Sequence, residues 1–287
     1  MRVVLGGVRG TAPVSHPDFR HFGGATTCVL VADRAGSRIV LDAGTGLQSL
    51  APDFENRHGR TAPLLLLTHY HLDHLMGLPG FPLLYDADAE IIIAAPLREG
   101  IGAQTAVERL IAAPFWPVGF RARQRYLVLP QDSGDKPFRY GPFEVRWCAV
   151  HHHNGCHAYR IDELDSGRSL VFATDLEWGA SDAAERQALL RLCRCPRPLD
   201  LLIMDGQFDS ATAARFRGWG HSTWQDTVDV AKAAAARHLV VTHHAPDADD
   251  GLLAQREQHL RVAAGQAALP QACLAREGMT ISLEEAG

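Results

Sequence analysis

The 287-residue chain has no apolar run near the roughly 20 residues that span a bilayer, so no membrane-crossing helix is expected. Its opening, MRVVLGGVRG, reaches glycine after an apolar stretch too short for a secretory signal. Cysteine is sparse. The six, at positions 28, 148, 156, 193, 195 and 273, form no C-x-x-C pair and are too thin for a disulfide scaffold. A basic excess is also missing: 28 Lys and Arg stand against 33 Asp and Glu, for a net charge of −5. That balance disfavours long nucleic acid and anionic membranes as partners. Internal repeats, low-complexity tracts and dividing linkers are lacking too. The expectation is a reduced, cytoplasmic chain forming one domain over residues 1–287.

What the sequence does have is many short strands. Apolar or β-branched runs at 2–5, 27–32, 38–41, 64–68, 90–94, 126–129, 143–150, 158–161, 169–173, 199–204 and 239–242 are mostly bounded by Gly, Pro, Asp or Asn. Helical patterns occupy 101–113, 182–192 (with Ser181 as N-cap), 222–237 and 252–268, and MTISLEE reads as a closing strand. Strands dominate the first two thirds and helices the remainder. That order favours an α/β fold of two sheets packed together with helices outside, over an alternating doubly wound sheet. Several strands run directly into metal-competent residues: LLLLT into HYHLDH, LVFAT into Asp175, LLIM into Asp205, and LVVT into His243 and His244.

HYHLDH, residues 69–74, is the strongest chemical signal. His69 and His71, two apart on extended backbone, point to one side, and Asp73 and His74 turn towards a second position. One loop can thus feed two adjacent cations with imidazole and carboxylate, donors suited to Zn²⁺ and also to Fe or Mn. The segment AVHHHNGCHAYRI adds four histidines, of which strand alternation weakly favours His152 over His151 and His153. Downstream, GWGHSTW places His221 before an Ala-rich helix, and Ser222 offers itself as that helix's N-cap.

With its H-x-H-x-D-H motif complete, the sequence resembles the metallo-β-lactamase-fold superfamily. The resemblance implies an αββα sandwich with a dinuclear metal site at the sheet edge. Its first metal would take His69, His71, His152 and Asp175, and its second Asp73, His74, Asp175 and His243, with His244 a rival to His243. His152 gains support from the trailing Tyr-Arg-Ile, which resembles the ligand-turn-Gly-Tyr-Arg-Ile pattern of this group; His151, His153 and His157 are then turn, surface or outlying residues. Two divalent ions about 3.5–4 Å apart, Zn²⁺ foremost, would share a water and deliver it as nucleophile.

The H-S-T element at His221, the carboxylate at Asp205 and the glycine-rich LGGVRGT with HFGGATTCVLV resemble the ribonuclease Z-like phosphodiesterase branch. The resemblance implies phosphodiester hydrolysis: Asp73 orients the nucleophile, His221 assists the leaving oxygen, and Asp205 orients His221. With negative net charge and no long Gly/Lys-rich insertion, a small substrate such as a 3′,5′-cyclic nucleotide is expected over long nucleic acid. The alternatives are an acyl hydrolase (lactonase or thioesterase) on the same scaffold and an RNA 3′-end endonuclease of the ribonuclease Z type. A homodimer is expected. Arg121, Arg123 and Arg125, spaced by two, read as one solvated strand face, and PFWPVGF at 114–120 either stacks on a base or packs on protein.

Overall fold

In this computed structural model, which describes residues 1–55, 61–134 and 136–283, the strands form two seven-stranded sheets. The first contains β1 (Arg2–Gly7), β2 (Cys28–Ala32), β3 (Arg38–Leu41), β4 (Leu64–Leu66), β5 (Glu90–Pro96), β6 (Arg123–Leu129) and β14 (Thr280–Ser282), in the order β14-β1-β2-β3-β4-β5-β6. The second contains β7 (Phe138–Tyr140), β8 (Phe143–Val150), β9 (Cys156–Glu163), β10 (Ser169–Ala173), β11 (Leu201–Asp205), β12 (His238–Thr242) and β13 (Gln271–Leu274), in the order β13-β12-β11-β10-β9-β8-β7. Helix α1 (Ala103–Leu110) covers the first sheet, while α2 (Ala183–Arg194), α3 (Trp224–Ala234) and α4 (Asp250–Gln266) cover the second.

Side-chain alternation builds these layers. In β11, Leu201 and Ile203 face the inter-sheet core, and Leu202 and Met204 face the helices; in β12, Val240 points in while Leu239 and Val241 point out. Both faces are therefore apolar, which is why these strands read as unbroken hydrophobic runs. The inter-sheet core joins Leu5, Val31, Ile39 and Leu66 of one sheet to Val145, Ile161, Phe172 and Ile203 of the other. This is the αββα arrangement expected from the sequence.

Register then brings distant chemistry to one edge. Strands β10, β11 and β12 run parallel, with Ala173 paired to Met204 and Met204 to Val241, so Asp175, Asp205 and His243 emerge side by side. In the first sheet, parallel β3 and β4 pair Leu41 with Leu66, which delivers Asp42 beside the chain leading to His69. The Tyr159 hydroxyl donates to the Leu67 carbonyl at 2.8 Å, tying β9 to that same chain.

Several local details differ from the sequence reading. Strands β7 and β13, short edge elements, lacked a recognisable run. Asp182, not Ser181, caps α2, because Glu185 completes a capping box with it; the Ser181 hydroxyl instead donates to Glu177 O at 3.0 Å. Likewise Thr223, not Ser222, caps α3 with Asp226, which frees the Ser222 hydroxyl to donate to Leu176 O at 2.6 Å. Arg121 precedes β6, so the three arginines do not share one strand; all are exposed, and Arg123 and Arg125 lie 3.2 and 3.7 Å from Glu90. The aromatic loop packs through Trp116, whose Nε1 donates to the Tyr85 hydroxyl at 2.8 Å, whereas Phe115 is exposed. Glu284 and Glu285 of the expected last strand lie outside the described residues. Among the described residues, no helix is long and apolar enough to cross a membrane.

Arg160 of the Tyr-Arg-Ile trio also enters a fully buried ion pair with Asp162. Arg160 donates to both oxygens of Asp162 at 2.8 and 2.9 Å, and to the Leu192 and Cys193 carbonyls at the end of α2 at 3.1 and 2.7 Å. Removing one member of a buried pair strands the other charge, at a cost of about 3–5 kcal/mol. Arg160→Met should therefore lower the unfolding free energy by about that amount in urea titrations. A loss below about 1 kcal/mol would mean that Arg146 and Arg197, 3.2 and 3.6 Å from Asp162, satisfy the carboxylate.

Candidate metal centre

After β4 the chain bends at Thr68, is extended at His71, then closes a short 3₁₀ turn over Leu72–His74 that buries Asp73 and His74 and leaves Leu72 in solvent. The turn separates the donors into two directions, as the HYHLDH spacing implied. His69, His71, His152 and Asp175 each present one ligand atom within 4.8 Å of the others, and Asp73, His74, Asp175 and His243 do the same.

Asp175 belongs to both groups and divides its oxygens between them. Its Oδ1 lies 3.8 and 3.7 Å from Nε2 of His69 and His152, and its Oδ2 lies 3.1 and 3.2 Å from Nε2 of His74 and His243. Both Asp175 (φ 54°) and His243 (φ 63°) adopt left-handed backbone, as do Asp42 (φ 57°) and Thr11 (φ 67°). Such non-glycine conformations cost of order 1 kcal/mol each and persist where surrounding structure enforces them.

Adjacent histidines are now separable. His243 faces the carboxylates, whereas His244 is fully buried and donates from Nε2 to Ala275 O at 2.9 Å; burial pushes it down to about 3. In the other tract, His152 donates from Nδ1 to Gly220 O at 2.9 Å, which leaves the Nε2 lone pair facing Asp175 and, at 3.2 Å, His71 Nδ1. His151 lies 3.3 Å from Glu185, and His153 is exposed and bonded to the Gly218 carbonyl. His157 is buried but occupied, accepting from Arg98 on Nδ1 and donating from Nε2 to Gln131 O at 2.7 Å.

Sequence reasoning missed the residues that hold the donors. Asp42 accepts from His74 Nδ1 at 2.8 Å and from the Thr68 amide at 2.8 Å; the Thr68 hydroxyl sits 3.0 Å from His69 Nδ1. These contacts orient each ring so that its other nitrogen is the ligand atom. The Thr11 amide donates to Asp73 Oδ2 at 2.8 Å. Asp42 was within reach of inspection, since RIVLD is another strand ending in a carboxylate; Thr11 gave no signal. Glu177 accepts from the Gly218 and Gly220 amides at 3.0 Å and so clamps the GWGHST loop. Two glycines are dictated by the rings. A Cβ on Gly10 would sit 2.3 Å from His243, and one on Gly220, at φ 85°, would sit 2.3 Å from His152.

Beside the second donor group, His221 donates from Nδ1 to Asp205 Oδ2 at 2.8 Å, and Asp205 Oδ1 accepts from the Gln207 amide at 3.0 Å. Burial opposes the charge on His221, but the Asp205 charge and hydrogen bond, with Asp175 and Asp73 beyond, raise it to about 9.

The donor chemistry fits divalent cations. Five imidazoles and two carboxylates converge, and His69 Nε2 is buried with no hydrogen-bond partner, an arrangement costly unless something accepts its lone pair. Burial lowers His69, His71 and His152, the last to about 4, so these rings are neutral and ready to ligate. His74 goes the other way: despite burial, Asp175, Asp73 and Asp42 raise it well above the usual range.

A family model described as "Beta-lactamase superfamily domain" matches residues 37–244. Ribonuclease Z from Agathobacter rectalis is 24% identical over 261 residues, covering 75% of this chain and 82% of the relative. Among solved structures, the human short-form tRNase Z aligns with TM-score 0.69 and 22% identity over 99% of this chain and 100% of that one. The metallo-beta-lactamase fold protein YhfI from Bacillus subtilis aligns with TM-score 0.69 and 18% identity over 98% of each chain.

Two outcomes follow from the donor geometry. His152→Ala should lose about half the bound metal by elemental analysis, while His151→Ala and His153→Ala keep it all; equal losses would disprove the assignment. Because His74 carries a proton that a cation must displace, metal affinity should rise with pH, and titration of metal-free protein in weak buffer should release protons. An affinity flat from pH 6 to 8 would contradict the protonated state of His74.

Proposed function

The chain belongs to the beta-lactamase superfamily, and on that premise we propose that it is a metal-dependent phosphodiester hydrolase of the ribonuclease Z-like branch. The observation that carries this reading is the His221–Asp205 pair, whose imidazole stacks on His243 with ring centroids 5.0 Å apart. An acyl transfer at the same donors has no evident use for such a group.

Two divalent ions, Zn²⁺ first and Mn²⁺ or Fe as alternatives, are assigned to the donor sets sharing Asp175. When bound they would supply Lewis acidity towards phosphoryl oxygens and a water activated at neutral pH. The protein's own part is positioning and proton transfer. Asp73, its Oδ2 held by the Thr11 amide, accepts a hydrogen bond from the attacking water and aligns it with phosphorus. His221, protonated at neutral pH through Asp205, gives its Nε2 proton to the departing oxygen. Asp205 accepts from Nδ1 at 2.8 Å and holds the ring so that Nε2 faces the scissile bond.

A small diester such as a 3′,5′-cyclic nucleotide is the first substrate reading, supported by the net charge of −5. RNA is the second, favoured by the relatives named Ribonuclease Z, which stand against the expectation that long nucleic acid is an unsuitable partner. A panel of cyclic nucleotides, linear dinucleotides and a tRNA precursor, assayed with defined metal, separates them.

His221→Ala should lower kcat by about 10²–10⁴-fold with both metals retained. Full activity would rule out its role as acid. A group that acts when protonated loses activity as pH rises through its pKa. Asp205→Asn removes the charge that raises His221, so the basic limb of the kcat profile should move to lower pH. An unmoved limb would exclude His221 as its origin, and lactone hydrolysis without cleavage of bis-p-nitrophenyl phosphate would favour the acyl hydrolase.

A further inference from the structure

Beside His221, on the side of the loop 208–217, lies a cavity of about 560 Å³. Its size is that of a ligand pocket. Phe208 and Phe216 stack in parallel at 4.3 Å, and Phe208 meets His221 at 6.0 Å between centroids, so an aromatic wall runs directly up to the acid.

We infer that this cavity receives the flat aromatic ring of the alcohol leaving phosphorus, a nucleobase or an aryl group. The inference rests on the phosphodiesterase reading. His221 borders both the metal donors and the cavity, with Nδ1 3.9 Å from Asp175 and its ring lining the cavity wall. The oxygen it protonates therefore lies between them. With phosphorus on the donor side, the alcohol's carbon skeleton leads the other way, past Phe208.

The stacked phenyl rings of the wall select a planar occupant. The Asp226 carboxylate is committed to the Thr223 amide and hydroxyl at 3.0 and 2.7 Å, and Glu177 to the Gly218 and Gly220 amides. Asp226 is held through Oδ2 alone, and Arg217 also lines the cavity, so a ligand meets the phenyl surface, small alanine side chains and one cationic side chain. Rings of any base stack on such a surface without sequence-specific hydrogen bonds. Trp219, 59% exposed and edge-on to Phe216 at 5.2 Å, places a reporter next to this wall.

Phe216→Ala removes part of the wall, and Ala213→Phe fills the space. Each variant should raise KM for bis-p-nitrophenyl phosphate at least tenfold, with kcat within threefold. Metal content and competitive inhibition by inorganic phosphate should stay unchanged, because phosphate alone does not enter the cavity. Unchanged KM in both variants, or equal weakening of phosphate inhibition, would overturn the proposal. A binding measurement separates this from failure of the enzymatic reading. Adenosine 5′-monophosphate should quench fluorescence that Trp219→Phe abolishes, inorganic phosphate should not, and Phe216→Ala should weaken the quenching tenfold. If that pattern appears in a protein that cleaves no phosphodiester, the cavity stands and the assigned reaction falls. Equal quenching by both ligands overturns the cavity.

Discussion

The carboxylate of Asp175 governs the architecture of the candidate centre. It is almost fully buried, and its two oxygens face two separate sets of imidazoles. A single charge so placed must be compensated from both sides, and burial magnifies every mismatch because the surrounding dielectric is low. His243, His74 and His69 together hold Asp175 well below the usual carboxylate range against the opposing effect of burial. The same field raises His74 well above its ordinary value against the effect of burial. Within the protein network the Nε2 of His69 is left without a hydrogen-bond partner.

Bringing those groups together strains the backbone. Asp175 and His243 follow parallel strands whose direction carries the chain away from the edge, and both turn back through left-handed conformations. Glycine is used where contact is tighter still, at Gly10 against His243 and Gly220 against His152. The layered core makes this tolerable. Both faces of β10, β11 and β12 are apolar and packed, so the edge conformations are anchored on close-packed structure that resists rearrangement.

The layers and the convergent donors were legible in the sequence because both leave periodic or positional marks. Unbroken apolar runs identify strands buried on two faces, and a donor immediately after such a run emerges at the sheet edge. His69, His71, Asp73, His74, Asp175 and Asp205 all carry that mark. Between His243 and His244 spacing is silent, since the choice depends on a left-handed turn at His243 that no local residue type dictates. Thr11 was invisible for a different reason: it contributes a backbone amide, which every residue but proline possesses. Ser181 and Ser222 misled as helix caps because their neighbours, Asp182 and Thr223, are equally good caps and have the acidic residue three positions on. The edge strands β7 and β13 are too short for alternation to register.

The loop GWGHST links the ring of His152 to the proposed acid, His221. Its Gly220 carbonyl fixes the ring of His152, and the next residue, His221, is the proposed proton donor. Glu177, two residues beyond Asp175, holds the loop through the Gly218 and Gly220 amides, and Ser222 adds a bond to the Leu176 carbonyl. The segment that supplies the shared carboxylate thus also sets the height of the acid above it. A shift of about 1 Å in such a loop would misplace a donor and the proton together, and orientation errors of that size cost rate steeply. The loop is buried and hydrogen-bonded at Gly220 yet exposes Arg215, Arg217 and Trp219. Its inner end is held against the donors, and its outer end lies beside the cavity proposed for the leaving alcohol.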